Sequence, residues 1–483
     1  MIGKNSLIID MQDLATRGMS SSGNISDGGF SNETDAVNLI ANPGVLYAPA
    51  LPVDKSTNLT GSAIAWCPTS TSSINGFILA GDGKIMSIDS NQDLTASTAL
   101  AGTFTTGSAD IITFNGKIFA TSSTDVARMD TNLTNGNATW WSATATGAGA
   151  PFGILTAGVR HPLVVFQDLL WVGDDDDLHK ITSSAAGSKN FLSLGNASIT
   201  ALGVDPSSGL MLIGATQGTS YGGTISSGNS IFTYNGTSAS YNREYKVDGQ
   251  VTAFRDVGGV VYVAYGQNLG YWNGAGVTFL RKLKNVTLVG AQLPYKHHLT
   301  NILNTLYVID GKQILAYGEV LPGQKRFYYC QSNNINTNKY TLIAPVGDNK
   351  LGLGFDTAKF YTVSVTSIAS TGTMVFFTNK YNFPRPVYLR SVYLEYSDAL
   401  PNNDNNRNLY YKNQDQQAEF QTLIKEGQTS STALKNETGE SVYFQENIIS
   451  FVDNKVRSVQ FRYNTTGTNI GLRRIIVYYD VAE

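Results

Sequence analysis

Four consecutive carboxylates, Asp174-Asp175-Asp176-Asp177, form the densest charge run in the sequence. Hard oxygen donors on adjacent residues repel one another, and a cation such as Ca²⁺ relieves that repulsion by taking them as ligands. The same residues fall where the neighbouring repeats place a hairpin turn, and consecutive turn side chains point apart, so a solvated acidic turn competes with the metal reading. EF-hand spacing is absent. Asp174, Asp175, Asp176 and Asp177 are therefore the candidate ligands of a structural Ca²⁺, and no other cofactor is expected.

The remaining chemistry-bearing patterns lack their context. Gly218-Thr219-Ser220-Tyr221-Gly222 matches G-x-S-x-G, but a nucleophile elbow needs a helix after the serine, and the following Gly223–Gly228 has no helical character. A base would have to come from only four histidines, His161, His179, His297 and His298. The pair His297-His298 would face opposite sides of a strand and has no Cys or His neighbour in sequence, which argues against a metal site. Gly83-Lys84, Gly116-Lys117 and Gly311-Lys312 do not continue as a phosphate-binding loop. The S-x-D-x-G-x-x-W box of sialidases is missing, and no catalytic residue is expected. Acid–base carboxylates converging from separate repeats would leave no local trace.

Those residues hang on a repeat. In Val257–Gly274 a Gly-Gly turn precedes the β-branched and aromatic run Val260–Tyr265; Gly266-Gln267-Asn268 turns the chain, and Leu269–Trp272 runs back. That is a β-hairpin in sequence form. The layout recurs at Asn75–Asp89, Asn115–Asp130, Gln167–Ile181, Ser208–Thr216 with Ser230–Tyr234, Asn304–Gly318 and Asn349–Val363. Marked from the first residue after each opening turn, the spacings run from 40 to 52 residues and average about 46, the length of a four-stranded propeller blade. A single blade cannot bury both faces, so blades must stack until a ring closes. Helical periodicity and capping signals are nearly absent. The fold class read here is all-β: about seven propeller blades over 36–383, a β-sandwich over 384–483, and an extended arm over 1–35. The piece Asp35–Leu51 is the candidate for the strand that closes the ring.

Past Asn382-Phe383-Pro384-Arg385-Pro386 the strands lengthen. In Val456–Tyr463 the apolar Val459, Phe461 and Tyr463 alternate with Ser458, Gln460 and Arg462, the pattern of a half-buried antiparallel strand. Charged residues make up 15% of the chain, against roughly 25% in ordinary soluble proteins. The net charge of −3 supplies no field for phosphate backbones, so specific nucleic-acid binding is not expected. No apolar run reaches the ~18 residues of a membrane span, and the opening residues lack a secretory pattern. Cys67 and Cys330 read as reduced, buried thiols. Adjacent aromatics such as Trp140-Trp141 and Tyr410-Tyr411 should present one ring on each face of a strand, and exposed rings suit protein or sugar surfaces.

Asp27-Gly28-Gly29-Phe30 and Asp35–Gly44 (DAVNLIANPG), the irregular hairpin repeats and the Asn/Thr/Ser/Gly-rich, cysteine-poor composition together resemble structural proteins of tailed-bacteriophage virions, in particular the β-propeller proteins of the tail nozzle type. Asn42-Pro43-Gly44 stands where that family's opening usually carries Arg-Pro-Gly. The resemblance implies a non-enzymatic virion component of the tail or a vertex, made in the host cytoplasm. It would assemble as a homo-oligomer through contacts with other virion proteins. A carbohydrate-binding adhesin that meets a host surface glycan is the alternative, and a propeller glycan hydrolase is the third reading.

Overall fold

The computed structural model describes residues 5–11, 19–20, 30–31, 39–42, 45–69, 73–97, 109–141, 155–183, 186–217, 228–283, 295–332, 339–367, 374–398, 407–413, 420–423, 442–445, 455–465 and 471–482. Regular structure among them is β-strand apart from a one-turn 3-10 segment at Lys296–His298. Among the described residues no helix is long and apolar enough to cross a membrane.

Contacts divide the chain into two units, Pro52–Lys312 with Ile335–Val363, and Met1–Leu51 with Gln313–Asn334 and Ser364–Glu483. The boundaries expected after residues 35 and 383 follow chain order, whereas these units follow contact. Among the described residues the larger unit holds six four-stranded antiparallel sheets, five of them meanders in which chain neighbours pair and the sixth completed by a strand from far earlier in the chain. Sheet I contains Ala63–Pro68, Ile74–Ala80, Ile85–Asp89 and Leu94–Ala96. Sheet II contains Ile111–Phe114, Lys117–Thr121, Val126–Asp130 and Asn137–Trp141. Sheet III contains Leu163–Phe166, Leu169–Asp174, Asp177–Ser183 and Ala186–Ser193. Sheet IV contains Ala197–Asp205, Leu210–Gln217, Asn229–Tyr234 and Arg243–Val247. Sheet V contains Val251–Val257, Val260–Tyr265, Asn268–Trp272 and Val277–Lys282. A hairpin of Leu299–Ile302 and Thr305–Asp310 follows. Sheet VI joins Tyr340–Pro345, Lys350–Phe355 and Phe360–Ser364 to Val53–Asp54.

The opening turns of the repeat explain these hairpins. Asn115 and Gly116 take φ of 46° and 71°, both left-handed, and a two-residue turn with that backbone matches the twist of the strands it joins. Gln167-Asp168 adopts the same hand without glycine, at 52° and 56°.

The sheets stack in blade-like fashion through shared apolar cores. Ile64, Phe77 and Leu79 of sheet I meet Ile111, Ile118 and Met129 of sheet II. Phe119 and Trp140 of sheet II meet Leu163, Leu170 and Ile181 of sheet III. Trp171 and Leu178 join Ile199, Ile213 and Tyr234, and Leu212 and Ile231 join Phe254, Val263 and Trp272. Sheets IV and V come so close at Gly203 that a Cβ there would lie 2.5 Å from Phe254 Cβ. Trp66, Ile78 and Met86 of sheet I then pack on Leu342, Ala344 and Phe360 of sheet VI, so the first and last sheets of the unit are neighbours. Each fully buried side chain of this size contributes ~1.5–3 kcal/mol.

The closing strand is not where the sequence placed it. Val53–Asp54 completes sheet VI, with Asp54 opposite Tyr361 and Val53 opposite Thr362. Leu39–Asn42 and Val45–Tyr47, inside the piece expected to close the ring, form a hairpin in the smaller unit and pair there with Gln324–Ser332 and Leu472–Val481. An apolar pattern shows that a segment must pair but not with which edge.

In the smaller unit Asn5–Asp10 runs antiparallel to Leu472–Val481, and Arg474 Nε meets Asp10 Oδ2 at 2.9 Å. Tyr381–Tyr396 pairs along most of its length with Leu472–Val481 and near its start with Lys455–Thr465. Val459, Phe461 and Tyr463 are fully buried, as their alternation requires. Gln460 is buried as well, because its Nε2 donates to Thr378 O at 2.8 Å. Tyr411 is buried beside the half-buried Tyr410. Trp140 is buried, while the side chains of Trp141 and Cys330 and the segment Gly218–Gly222 lie outside the described residues. Cys67 is buried and unbridged, and burial raises its thiol pKa far above the ordinary range.

Candidate functional site

The first strands of the sheets lie side by side, and one position recurs in them or just before them: Ile64, Asp110, Pro162, Thr200, Thr252, Thr300 and Thr341. At Ile64, Thr200, Thr252 and Thr341 the pairing register skips a residue. A bulge of this kind leaves the skipped residue outside its own ladder and re-aims its side chain. Thr200 Oγ1 donates to Val251 O of the next sheet, and Thr341 Oγ1 of sheet VI donates to Ala63 O of sheet I. The signal was present as Ile199-Thr200-Ala201-Leu202, Val251-Thr252-Ala253-Phe254, Leu299-Thr300-Asn301-Ile302 and Tyr340-Thr341-Leu342-Ile343. Threonine is a common strand residue, so without the bulges these four runs are indistinguishable from ordinary strand sequence.

Asp110 holds this position in sheet II. Its Oδ1 accepts Ile111 N–H at 2.8 Å, and its Oδ2 accepts Leu163 N–H of sheet III at 2.8 Å. Lys296 Nζ bridges both oxygens at 3.1 and 2.9 Å and also donates to Leu163 O at 3.0 Å. His297 Nε2 reaches Oδ1 at 3.0 Å. Because His297 Nδ1 accepts Trp66 N–H at 3.2 Å, the neutral ring carries its proton on Nε2 and donates it to Asp110. Burial alone would raise the Asp110 pKa, but the charge of Lys296 and the His297 hydrogen bond hold it well below the usual carboxylate range.

The turn carrying Lys296 and His297 is pinned by its neighbours. Tyr295 OH lies 2.6 Å from Ile64 O and 2.8 Å from Thr341 O, and His298 Nδ1 accepts Tyr295 N–H at 3.2 Å. His297 and His298 thus sit in a 3-10 turn rather than on a strand, and both are buried. Burial lowers the pKa of each, with Asp110 opposing the effect at His297 and the neighbouring His297 adding to it at His298. Arg255 Nε and Nη2 donate to Leu299 O at 3.3 and 3.0 Å, and burial pushes its pKa down to about 10.

The acidic run falls at a hairpin turn, as its spacing implied, but its four carboxylates do not converge. Asp174 ends one strand of sheet III and Asp177 begins the next, paired across the turn. Asp174 is buried; its Oδ1 accepts Thr156 N–H at 2.7 Å and its Oδ2 faces His179 Nε2 at 3.3 Å. His179 Nδ1 accepts Asn190 N–H at 2.9 Å, which again puts the proton on Nε2. His161 Nδ1 lies 3.5 Å from Asp174 Oδ1. Asp175 accepts the Ser198 hydroxyl, and Asp176 accepts Ser193 Oγ at 3.0 Å. Burial and the charge of Asp176 raise the pKa of Asp177. Carboxylates turned to separate donors do not suit Ca²⁺, which needs several oxygens aimed at one point. Among the described residues no group of three or more His, Cys, Asp or Glu is arranged to hold a metal ion. Of the four, Asp174 is a buried acceptor between two histidines.

All four histidines are therefore buried, and the two whose bonds fix the tautomer beside a carboxylate, His179 and His297, are donors to it. A cavity of about 30 Å³ opens beside the Asp110 cluster, lined by Asp110, Arg160, Thr200, Thr252, Lys296 and His297 among others. Pockets for small-molecule ligands run to roughly 300–1,000 Å³. Among the described residues the lining carries one carboxylate, Asp110, so these residues do not supply the carboxylate pair of a glycan hydrolase. Thr200 and Thr252 spend their hydroxyl protons on carbonyl oxygens.

No protein-family model matches the sequence, and no curated protein matches it. Among solved structures the chain is similar to "YCF48 bound to D1 peptide", at a TM-score of 0.44 and 8% identity, covering 69% of this chain and 100% of that one.

Proposed function

We propose that this protein is a non-catalytic structural component that works by binding other proteins, set in the virion of a tailed bacteriophage at the tail or a vertex. The observation that carries the scaffold reading is Asp110. A carboxylate accepting from two backbone amides, a lysine and a histidine has no capacity left for a substrate, and it ties Ile111, Leu163 and Lys296 together instead. The virion setting rests on the resemblance carried by Asp27–Phe30 and Asp35–Gly44. We further infer seven blades, with the hairpin Leu299–Ile302 and Thr305–Asp310 as the inner half of the one not complete within the larger unit. The strands past residue 384 are read as a sandwich, and a homo-oligomer is the assembled form.

A glycan-binding role is the second reading, favoured by one observation: Phe279, on the outer strand of sheet V, is 58% exposed. The deciding experiment raises antibody against the full chain and applies it with gold label to virus particles from the source sample, alongside a glycan array probed with the same chain. Label at a tail or vertex with no glycan signal is the expected result. Unlabelled particles, intact and disrupted, would overturn the virion setting, and saturable glycan binding in that case would favour the adhesin.

A further inference from the structure

We propose that the strand Asn5–Asp10 pairs antiparallel with the same strand of a second copy of this chain, across a two-fold axis that sets Ile8 opposite Ile8. The inference rests on the homo-oligomer reading above and names its surface. Asn5–Asp10 makes six consecutive pairs with Leu472–Val481, uninterrupted by any register shift. Among the described residues no strand pairs with its other edge. Such an edge offers a row of N–H and C=O groups to any chain that aligns with it, and native proteins guard it with charge, proline or a bulge. The outer strands of sheets IV and V are guarded in this way. Arg243–Val247 carries Arg243, Glu244 and Lys246, and the pairing of Val277–Lys282 shifts register between Phe279 and Arg281. Asn5–Ile9 has no charge, proline or bulge, and Ile8 is 57% exposed.

The rows beside Ile8 select the occupant. Ile8 stands opposite Ile476, and Ile476 opposite Tyr393. The three form one row on the more exposed face of the sheet, where Ile476 and Tyr393 are half-buried. On the other face Leu7 and Ile9 stand against the buried Val477 and Ile475. Next to the apolar row, Asp10, Arg474 and Glu395 make a row of ion pairs, with Arg474 Nε 2.9 Å from Asp10 Oδ2 and Nη1 3.5 Å from Glu395 Oε2. Antiparallel pairing about Ile8 continues each of these rows. Tyr393, Ile476 and Ile8 of both copies become a single apolar stripe across the joined sheets. Leu7 meets Ile9 on the core side, and Ser6 meets Asp10 at both ends, a hydroxyl donor beside a carboxylate. Opposed apolar side chains of this kind stabilise an antiparallel pair. The same patch serves both copies, so the contact closes at two.

The test uses the full chain. Analytical ultracentrifugation should show a concentration-dependent dimer or an assembly with an even number of copies. Ile8→Lys, which opposes like charges across the axis, should raise the dissociation constant about tenfold or more. Leu303→Lys, at an 80% exposed residue of the larger unit, should leave it unchanged. Ile8→Cys should form an inter-chain disulfide under mild oxidation, since directly opposed residues lie about 4.5–5.5 Å apart at Cβ. Ser6→Cys, which would face Asp10 of the other copy, should link far less. A chain that stays monomeric at every concentration would overturn both this contact and the homo-oligomer reading. An assembly that Ile8→Lys leaves intact would overturn this contact alone. Assembly weakened by Ile8→Lys with no link from Ile8→Cys would overturn the two-fold register. The virion setting is read separately by the gold label.

Discussion

Asp110 and Asp174 are both buried carboxylates, and both accept a histidine Nε2–H, yet they are built differently. Asp174 is held locally: Thr156, His161 and His179 all lie within 18 residues of it. The principal partners of Asp110 come from 186 and 187 residues away and include a permanent cation. A carboxylate paired only with histidines ties one sheet to its own loops, whereas one paired with a distant lysine ties separate sheets to a shared turn. The comparison shows that similar chemistry can serve local shape in one place and closure of a ring of sheets in another.

The sharpest way to break the comparison is to remove one charge. Asp110→Asn strands Lys296, and breaking a buried pair in this way costs ~3–5 kcal/mol, which urea unfolding would read as a large drop in midpoint. Adding Lys296→Met should restore part of that loss, and the double-mutant cycle measures the coupling. Asp174→Asn keeps its backbone contact with Thr156 and should cost only ~1–2 kcal/mol in the same assay. Equal losses at the two sites would mean that distance along the chain is irrelevant.

Acid sharpens the distinction. His297 and His298 have lowered pKa values in the folded protein, so the unfolded chain binds protons first. Stability should fall as pH drops below the unfolded histidine value of about 6.5, by as much as ~1.4 kcal/mol per unit for each histidine. The lowered pKa of Asp110 acts in another window, contributing stability above about pH 4 that is lost only in stronger acid. Denaturant midpoints measured from neutral to mildly acid pH should therefore decline, and His298→Asn should flatten the decline. The smallest effect is expected from Thr341→Val, which removes the hydroxyl bridging sheets VI and I at a cost of ~1 kcal/mol, resolved by calorimetry.

The repeat was legible because hairpins obey local rules. Alternating apolar runs and left-handed turns such as Asn115-Gly116 need no knowledge of the rest of the chain, and sheets I to V fall where the pattern put them. The acidic run was correctly placed at a turn for the same reason. The Asp110 cluster was not legible, because Lys296 and His297 acquire meaning only when the packed sheets bring Asp110 and Trp66 to them. Nor could the pairing of Val53–Asp54 be read: a two-residue strand has no period, and its partner lies at Tyr361-Thr362.

That pairing bears on how the chain is made. Val53–Asp54 leaves the ribosome roughly 300 residues before the strand it must join, and chain synthesis proceeds at about 5–20 residues per second. Sheet VI therefore waits for many seconds with its outer strand already made and its other three absent. Over that interval sheet I has an uncovered apolar face where Leu342, Ala344 and Phe360 will pack. The nascent protein stays vulnerable to aggregation until Tyr340–Ser364 is made, and sheet VI then acts as the latch for sheet I.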